Sequence, residues 1–326
     1  MKKLLVSLVS VSFLTLPVFA DDNNNSTNDV TQNTIISNLN KINLPDYGTR
    51  KVPIMLYPVQ KDGQWGYIDN NGSIAYMPQF QAAKGFSDGL APVKNNDLWG
   101  YIDNKNGYVI ALEFKDADRF SDGVAAAKTS KLYGYINKKG EYVISPQYNT
   151  ARPFSEGFAA VRVDDKWGYI NRQGEMIIQP TFSKEPGSFV NGMAYVITGN
   201  GKYGFIDKLG NLKIDSTFTM AENFDDGLAP VQISSGLWGY INKDGKYVIT
   251  PKFAEAKRFN AGLAPVKINN KWGYINKTGK IIITPQFDSA EDFSKGLARV
   301  IVMNSENVLQ NAYIDSTGKV IWIPKI

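Results

Sequence analysis

Histidine and cysteine are both absent from the 326 residues. Ser-His-Asp and Cys-His triads are therefore impossible, as are the usual zinc sites built on imidazole and thiolate. No disulfide can form and no cysteine can carry a lipid anchor, so stability must come from burial, for which a chain of roughly 300 residues is ample. A strong excess of one charge is also missing, with 36 Lys and Arg against 31 Asp and Glu. No dense basic stripe occurs either, which removes the electrostatic footprint of a nucleic-acid binder. Long apolar runs are confined to the first 20 residues. Nothing later approaches the about 20 apolar residues that cross a bilayer, so no membrane span is expected after that point.

That opening stretch has Lys2 and Lys3, an apolar run from Leu4 to Phe19, and Val18-Phe19-Ala20 at its exit. This order of charge, apolar core and small residue is that of a secretory signal peptide spanning 1–20. The expected location is periplasmic, extracellular or at the cell surface. Without Lys2 and Lys3 the basic count is 34 against 31 acidic residues, a net charge of +3. Residues 21–53 read as a polar linker: Asp21 to Thr34 is mainly Asn, Asp, Ser and Thr. Ile35, Ile36, Leu39 and Ile42 sit at helical spacing, so this part is either a short helix ended by Pro45 or more linker.

What dominates the rest is a repeat. The motif Trp-Gly-Tyr-Ile-Asp/Asn begins at Trp65, Trp99, Trp167, Trp238 and Trp272, and with Tyr in first place at Tyr133 and Tyr203. These starts lie 34, 34, 34, 36, 35 and 34 residues apart. A fainter eighth copy reads Asn311-Ala312-Tyr313-Ile314-Asp315. One unit, from Gly262, shows the grammar: Leu263-Ala264-Pro265-Val266-Lys267, a turn, Trp272-Gly273-Tyr274-Ile275-Asn276, a turn at Lys277-Thr278-Gly279, then Ile281-Ile282-Ile283-Thr284-Pro285. Three β-rich runs separated by Asn, Lys and Gly turns predict a three-stranded antiparallel meander. Residues 54–326 therefore hold eight tandem meanders joined by seven connectors, an all-β repeat domain.

With a period of two, Trp272 and Tyr274 share one face of their strand while Gly273 and Ile275 share the other. Neither face is polar, so both must be covered by neighbouring units, as in the blades of a β-propeller. Two features point instead to an open β-solenoid or superhelix. Three strands are legible per unit where a propeller blade has four, and the connector residues Phe287, Ala290 and Phe293 fit a helical turn. A propeller-like ring is the favoured expectation.

The units, such as Lys166-Trp167-Gly168-Tyr169-Ile170-Asn171-Arg172-Gln173-Gly174 and the connector from Pro285-Gln286-Phe287 to Gly296-Leu297-Ala298, resemble the bacterial WG-containing, or KWG, β-repeat family. The resemblance implies an all-β protein, often exported or surface-associated, that mediates interactions and has no general catalytic residues. Tyr133, Tyr203, Phe205, Asn311 and Ala312 depart from the pattern.

The tryptophans could be stacking platforms for a ligand, but one per unit beside a Gly is what core packing demands. Asp69, Asp103, Asn137, Asn171, Asp207, Asn242, Asn276 and Asp315 could be imagined as metal ligands. Half are neutral amides and each precedes a Gly by three or four residues, which is turn chemistry. Ser87-Asp88, Ser121-Asp122, Ser155-Glu156, Asp225-Asp226 and Ser294-Lys295 read as turn polars in the same way. Pro58, Pro92, Pro230 and Pro265 share a strand position with Ala126, Ala160, Tyr195 and Arg299, a permissive slot expected to face solvent or an exposed edge.

No catalytic residue, cofactor or metal site is expected. The leading functional expectation is an exported, non-enzymatic interaction module that binds a protein or envelope polymer through polar hairpin tips: Asn95, Asn96 and Asp97; Asp164, Asp165 and Lys166; Asn269, Asn270 and Lys271. One alternative is a carboxylate-dependent glycan hydrolase on a propeller-like scaffold, using Glu185 and an Asp across a central pocket. Glu185 lies in the lengthened connector Lys184-Glu185-Pro186-Gly187-Ser188 of the fifth unit, whose hairpin Thr198-Gly199-Asn200-Gly201 is also longer. The other alternative is a structural surface scaffold with no saturable ligand.

Overall fold

A computed structural model describes residues 55–304 and 306–324. The segments read from the sequence as a signal peptide (1–20) and a linker with a possible short helix (21–53) lie outside these residues. Eight small antiparallel sheets follow one another along the chain, one per repeat, and are numbered here as blades 1 to 8. Blade 7 shows the common plan: a two-residue inner strand Glu255–Ala256, then Leu263–Ile268, Lys271–Asn276 and an outer strand Ile281–Phe287. Six blades have these four strands; blades 1 and 5 have three among the described residues.

The connector is therefore a short strand followed by a turn. Ala290 lies in the strand Ser289–Ala290 of blade 8, with Phe293 three residues on, outside any strand. The spacing of Phe287, Ala290 and Phe293 matched a helix because each of the three is buried, in three different backbone settings. This strand supplies the fourth member that was not legible in the sequence.

Burial follows the two-faced strand. Trp272, Tyr274 and Ile275 are all buried, as are their counterparts Trp238, Tyr240 and Ile241. One core joins Tyr274, Ile283, Phe287 and Phe293 to Ala298, Val300, Ala312 and Ile314 of blade 8, so the Tyr face of one blade packs on the Ile face of the next. Eight such cores exist, and the eighth joins Tyr57, Val59 and Ile68 of blade 1 to Leu297 and Tyr313 of blade 8. First and last blades also meet through the Tyr313 hydroxyl, which donates to the Pro58 carbonyl at 2.9 Å. The array closes into an eight-bladed β-propeller, and the open solenoid is excluded.

Two motif positions explain themselves locally. A side chain added at Gly273 would meet the Ile283 carbonyl oxygen at 2.5 Å and the Pro285 nitrogen at 2.7 Å. The outer strand bulges over this glycine, as the register shift between the Trp272–Phe287 and Tyr274–Ile283 pairs records. Blade 8 carries Ala312 at this place, where its outer strand, Val320–Trp322, pairs only with Tyr313 and Ile314 and its register shift falls between those two, so no outer-strand residue lies opposite Ala312. The Asp/Asn that closes the motif accepts two backbone N–H groups: Asn276 Oδ1 takes those of Thr278 at 3.1 Å and Lys280 at 3.0 Å. The same pair of bonds forms at Asp69, Asp103 and Asp315, so these residues build turns.

The slot shared by Pro92, Ala126, Ala160, Pro230 and Pro265 is buried, contrary to the expectation of exposure. It lies beneath the connector of the following blade: Ala126 clusters with Phe154, and Ala160 with Phe189. Small or cyclic residues are accepted there because the neighbour's Phe fills the space. Pro58, Tyr195 and Arg299 at the same position are half-buried.

Replacement of Gly273 by Ala is expected to destabilise the ring by about 2 kcal/mol or more, since the bulged backbone must move. Ala312→Gly should cost about 1 kcal/mol or less. Urea denaturation of the two variants against the parent chain measures both.

Candidate functional site

Two sets of exposed polar residues stand at different places on the ring. The first is the set of hairpin tips between the second and third strands. Asn96, Asp97, Asp164, Asp165, Lys166, Asn269 and Asn270 are exposed, while Asn95 and Lys271 are half-buried. Asn96 and Asp97 adopt φ of 48° and 61°, and Asn269 and Asn270 adopt 48° and 64°. Two consecutive left-handed residues make a two-residue turn of the type that Asn and Asp tolerate, which accounts for their presence here.

These tips come from blades 2, 4 and 7, so the structure places them at the same end of their sheets without joining them into one cluster. Several of their polar atoms are already engaged. The Asp97 N–H donates to Gln81 Oε1 at 3.0 Å, and the Asp164 N–H to Asn149 Oδ1 at 2.9 Å. Asp165 pairs with Arg162 at 2.6 Å, Asp97 with Lys94 at 3.2 Å, and Lys271 with Asp288 at 2.7 Å. What remains free at each tip is a rigid backbone turn and the outward edge of its side chains.

The second set lines the inner rim, where the connectors face one another from blade to blade. Lys84 pairs with Asp118 at 3.2 Å, Arg152 with Glu185 at 2.5 Å, and Arg258 with Asp292 at 3.0 Å; Arg258 also approaches Glu222 at 3.8 Å. Arg299 pairs with Glu291. Of these the sequence pointed only to Glu185 as a candidate site residue, and to Arg299 only as a member of the slot shared with the prolines. The signal was present: the two residues before each connector Phe include a charge in blades 2, 3, 4, 6, 7 and 8.

Glu185 is held in an ion pair by the Arg152 guanidinium. Glu222 and Asp292 behave differently. Burial pushes both above the usual carboxylate range, and at Glu222 the charge of Asp292 adds to the effect while Arg258 opposes it. Asp225 is raised as well, again by burial first. One oxygen of Asp292 is buried without a partner.

Three of the motif tryptophans are core residues, while Trp65 and Trp99 are half-buried. Trp167, Trp238 and Trp272 are buried, and cations of the connectors lie over several indoles, Lys84 at 5.2 Å from Trp99 and Lys257 at 5.1 Å from Trp272. Trp322 fills the seam between the last and first blades, 6.3 Å from the Tyr313 ring. Among the described residues no group of three acidic side chains is placed to hold a metal, and no helix is long and apolar enough to cross a membrane.

An open cavity of about 270 Å³ occupies the inner side of the seam, bounded by Tyr57, Trp65, Phe86, Arg119, Lys295 and Tyr313, with Glu291, Asp292 and Arg299 at its rim. A second, more apolar groove lies between Val59, Ile74, Met77 and Trp322.

Since Glu222, Asp225 and Asp292 keep their protons to higher pH in the folded chain than in the unfolded one, the native state binds more protons in that interval. Stability should therefore rise as pH falls through the raised values toward about 4, where the unfolded carboxylates begin to take up protons. Glu222→Gln is expected to flatten this rise, as read from denaturant midpoints between about pH 4 and pH 7.

Among solved structures, the chain is similar to BamB from Moraxella catarrhalis, with 12% identity, 79% of this chain and 95% of that one covered, and a TM-score of 0.47. It is also similar to PorZ of Porphyromonas gingivalis, described as an essential surface component of the type-IX secretion system, with 8% identity, 76% and 38% coverage, and a TM-score of 0.44. The WD40 β-propeller domain of Doa1 follows, with 12% identity, 72% and 96% coverage, and a TM-score of 0.39. The ring assignment rests on its eight interfaces rather than on these likenesses. No curated protein matches the chain. The model of the WG containing repeat matches seven times, at residues 65–99, 99–132, 133–167, 167–203, 203–235, 238–272 and 272–302, and the chain belongs to that family.

Proposed function

We propose that the chain is an exported, non-enzymatic interaction module that binds a protein or an envelope polymer through the hairpin tips at one end of its ring. The observation that carries this reading is the contrast between a frame repeated in every unit and tips that differ from copy to copy. Asn95-Asn96-Asp97, Asp164-Asp165-Lys166 and Asn269-Asn270-Lys271 present different charges at the same hairpin position, the first and third through a pair of left-handed residues and the second with Asp164 alone left-handed. A rigid array with variable tips is how repeat proteins acquire partners. Lys2, Lys3 and the apolar run to Phe19 support export to the periplasm or cell surface.

A second reading, a carboxylate-dependent glycan hydrolase, draws on Glu222 and Asp292, whose raised values suit a general acid. Glu185, tied to Arg152, is the weaker candidate for that role. Hydrolysis of any member of a glycan panel, lost in Glu222→Gln, would establish it; an inert panel removes it.

For the interaction reading, replacing the three tips together by Gly and Ser should reduce capture of the partner at least about tenfold while thermal unfolding stays unchanged, because the tips lie outside the cores. Cross-linking of the full chain in its own envelope, with a parallel pull-down on purified cell-wall polymer, reads this. Undiminished capture by the tip variant rejects that surface.

A further inference from the structure

The seam differs from the other interfaces in how its inner side is filled. Elsewhere a connector Phe from the following blade meets the motif aromatic, as Phe293 does Tyr274 at 4.9 Å, Phe259 does Tyr240 at 4.8 Å and Phe224 does Phe205 at 4.9 Å. At the seam Tyr313 meets Tyr57 at 5.6 Å instead, and the cavity opens beside them. Trp65 is half-buried and lines this cavity, with no cation over its ring among the described residues. Its counterparts Trp99 and Trp272 are covered by Lys84 and Lys257.

The charges around the cavity do not cancel. Glu291 pairs with Arg299, and Asp292 pairs with Arg258, which it shares with Glu222 outside the cavity. Two cations are left over. Lys295 Nζ donates to the Phe86 carbonyl at 2.9 Å, which positions it without neutralising it. Arg119 is exposed on the cavity wall and has no carboxylate within ion-pair distance among the described residues. An uncompensated guanidinium facing a partly apolar cavity is a site for a carboxylate, which it can take in a bidentate pair.

The volume of about 270 Å³ lies just below the range of pockets that enclose a whole small ligand, about 300–1,000 Å³. It suits the tip of a chain. We infer that the seam cavity captures the C-terminal carboxylate of a peptide whose last side chain is apolar. The carboxylate sits on Arg119, with Lys295 adding to the local field, and the apolar side chain lies against Trp65 and Phe86. This deepens the interaction reading, yet it uses another part of the ring. Lys295 belongs to the tight turns at the opposite end of the strands from the hairpin tips.

The experiment is calorimetric titration of the full chain with N-acetyl-Ala-Val-Leu-Phe as the free acid and as the amide. The acid is expected to bind at least tenfold more tightly than the amide. Arg119→Gln should bring the acid down to the level of the amide, Arg119→Lys should keep part of the difference, and near-UV circular dichroism should be unchanged in both. Replacement of the hairpin tips should leave peptide binding intact. Equal binding of acid and amide, no binding of either, or an Arg119→Gln variant that binds as the parent does would overturn the inference. Loss of peptide discrimination with partner capture at the tips intact rejects this cavity alone; the converse rejects the tips and leaves the cavity standing.

Discussion

A tyrosine hydroxyl crosses seven of the eight blade interfaces, and the rest of the ring is arranged around it. Tyr67, Tyr101, Tyr135, Tyr169, Tyr240 and Tyr274 donate to carbonyls of the next connector, and Tyr313 donates to Pro58. Each ring is buried and most meet a connector Phe edge-on or tilted. Without its hydroxyl partner a buried carbonyl would cost about 1–3 kcal/mol, and the connector would lose the contact that sets its height on the neighbouring sheet. The blade-to-blade angle follows from this contact together with the Tyr-on-Ile packing below it. Blade 5 carries Phe205 instead of Tyr, and it is also one of the two blades without an inner strand among the described residues.

A second layer of links reinforces the first on the side of the tight turns. Asp88 accepts the N–H of Gly123 at 2.8 Å, Asp122 that of Gly157 at 2.9 Å, Glu156 that of Gly192 at 2.9 Å, and Asp226 that of Gly262 at 2.6 Å. At these four turns the acidic residue before the Gly thus serves the next blade rather than solvent alone. At the seam Lys295 takes this place and reaches the Phe86 carbonyl instead. With this end of the ring committed to holding neighbours, the hairpin tips at the other end carry the freedom to vary.

The repeat period, the meander and the burial of both strand faces were legible because Trp, Tyr, Gly and Ile recur at positions whose spacing maps directly onto a pleated strand. The turn role of Asp69 or Asn276 was legible for the same reason, since the following Gly completes a local pattern. What escaped depends on partners far along the chain. The inner strand at Ser289–Ala290 is too short to show alternation, and its pairing with Val300 and Ile301 is not visible locally. The slot of Pro92 and Ala126 looked exposed because its residues vary, whereas its cover comes from the next connector. The inner-rim charges were hidden likewise: Arg258 gains meaning only when Glu222, 36 residues before it, and Asp292, 34 residues after it, come to its side.

Closure also bears on how such a chain can change in length. In an open solenoid a duplicated unit simply extends the stack. Here the Tyr face of blade 8 is already occupied by blade 1, with Gly72 of the first blade set against the Ile321 carbonyl of the last. An added copy would have to alter every angle between neighbours at once, against cores packed to leave little slack. The ring therefore holds its number of units fixed, and novelty enters by rewriting loops inside a constant frame rather than by lengthening it.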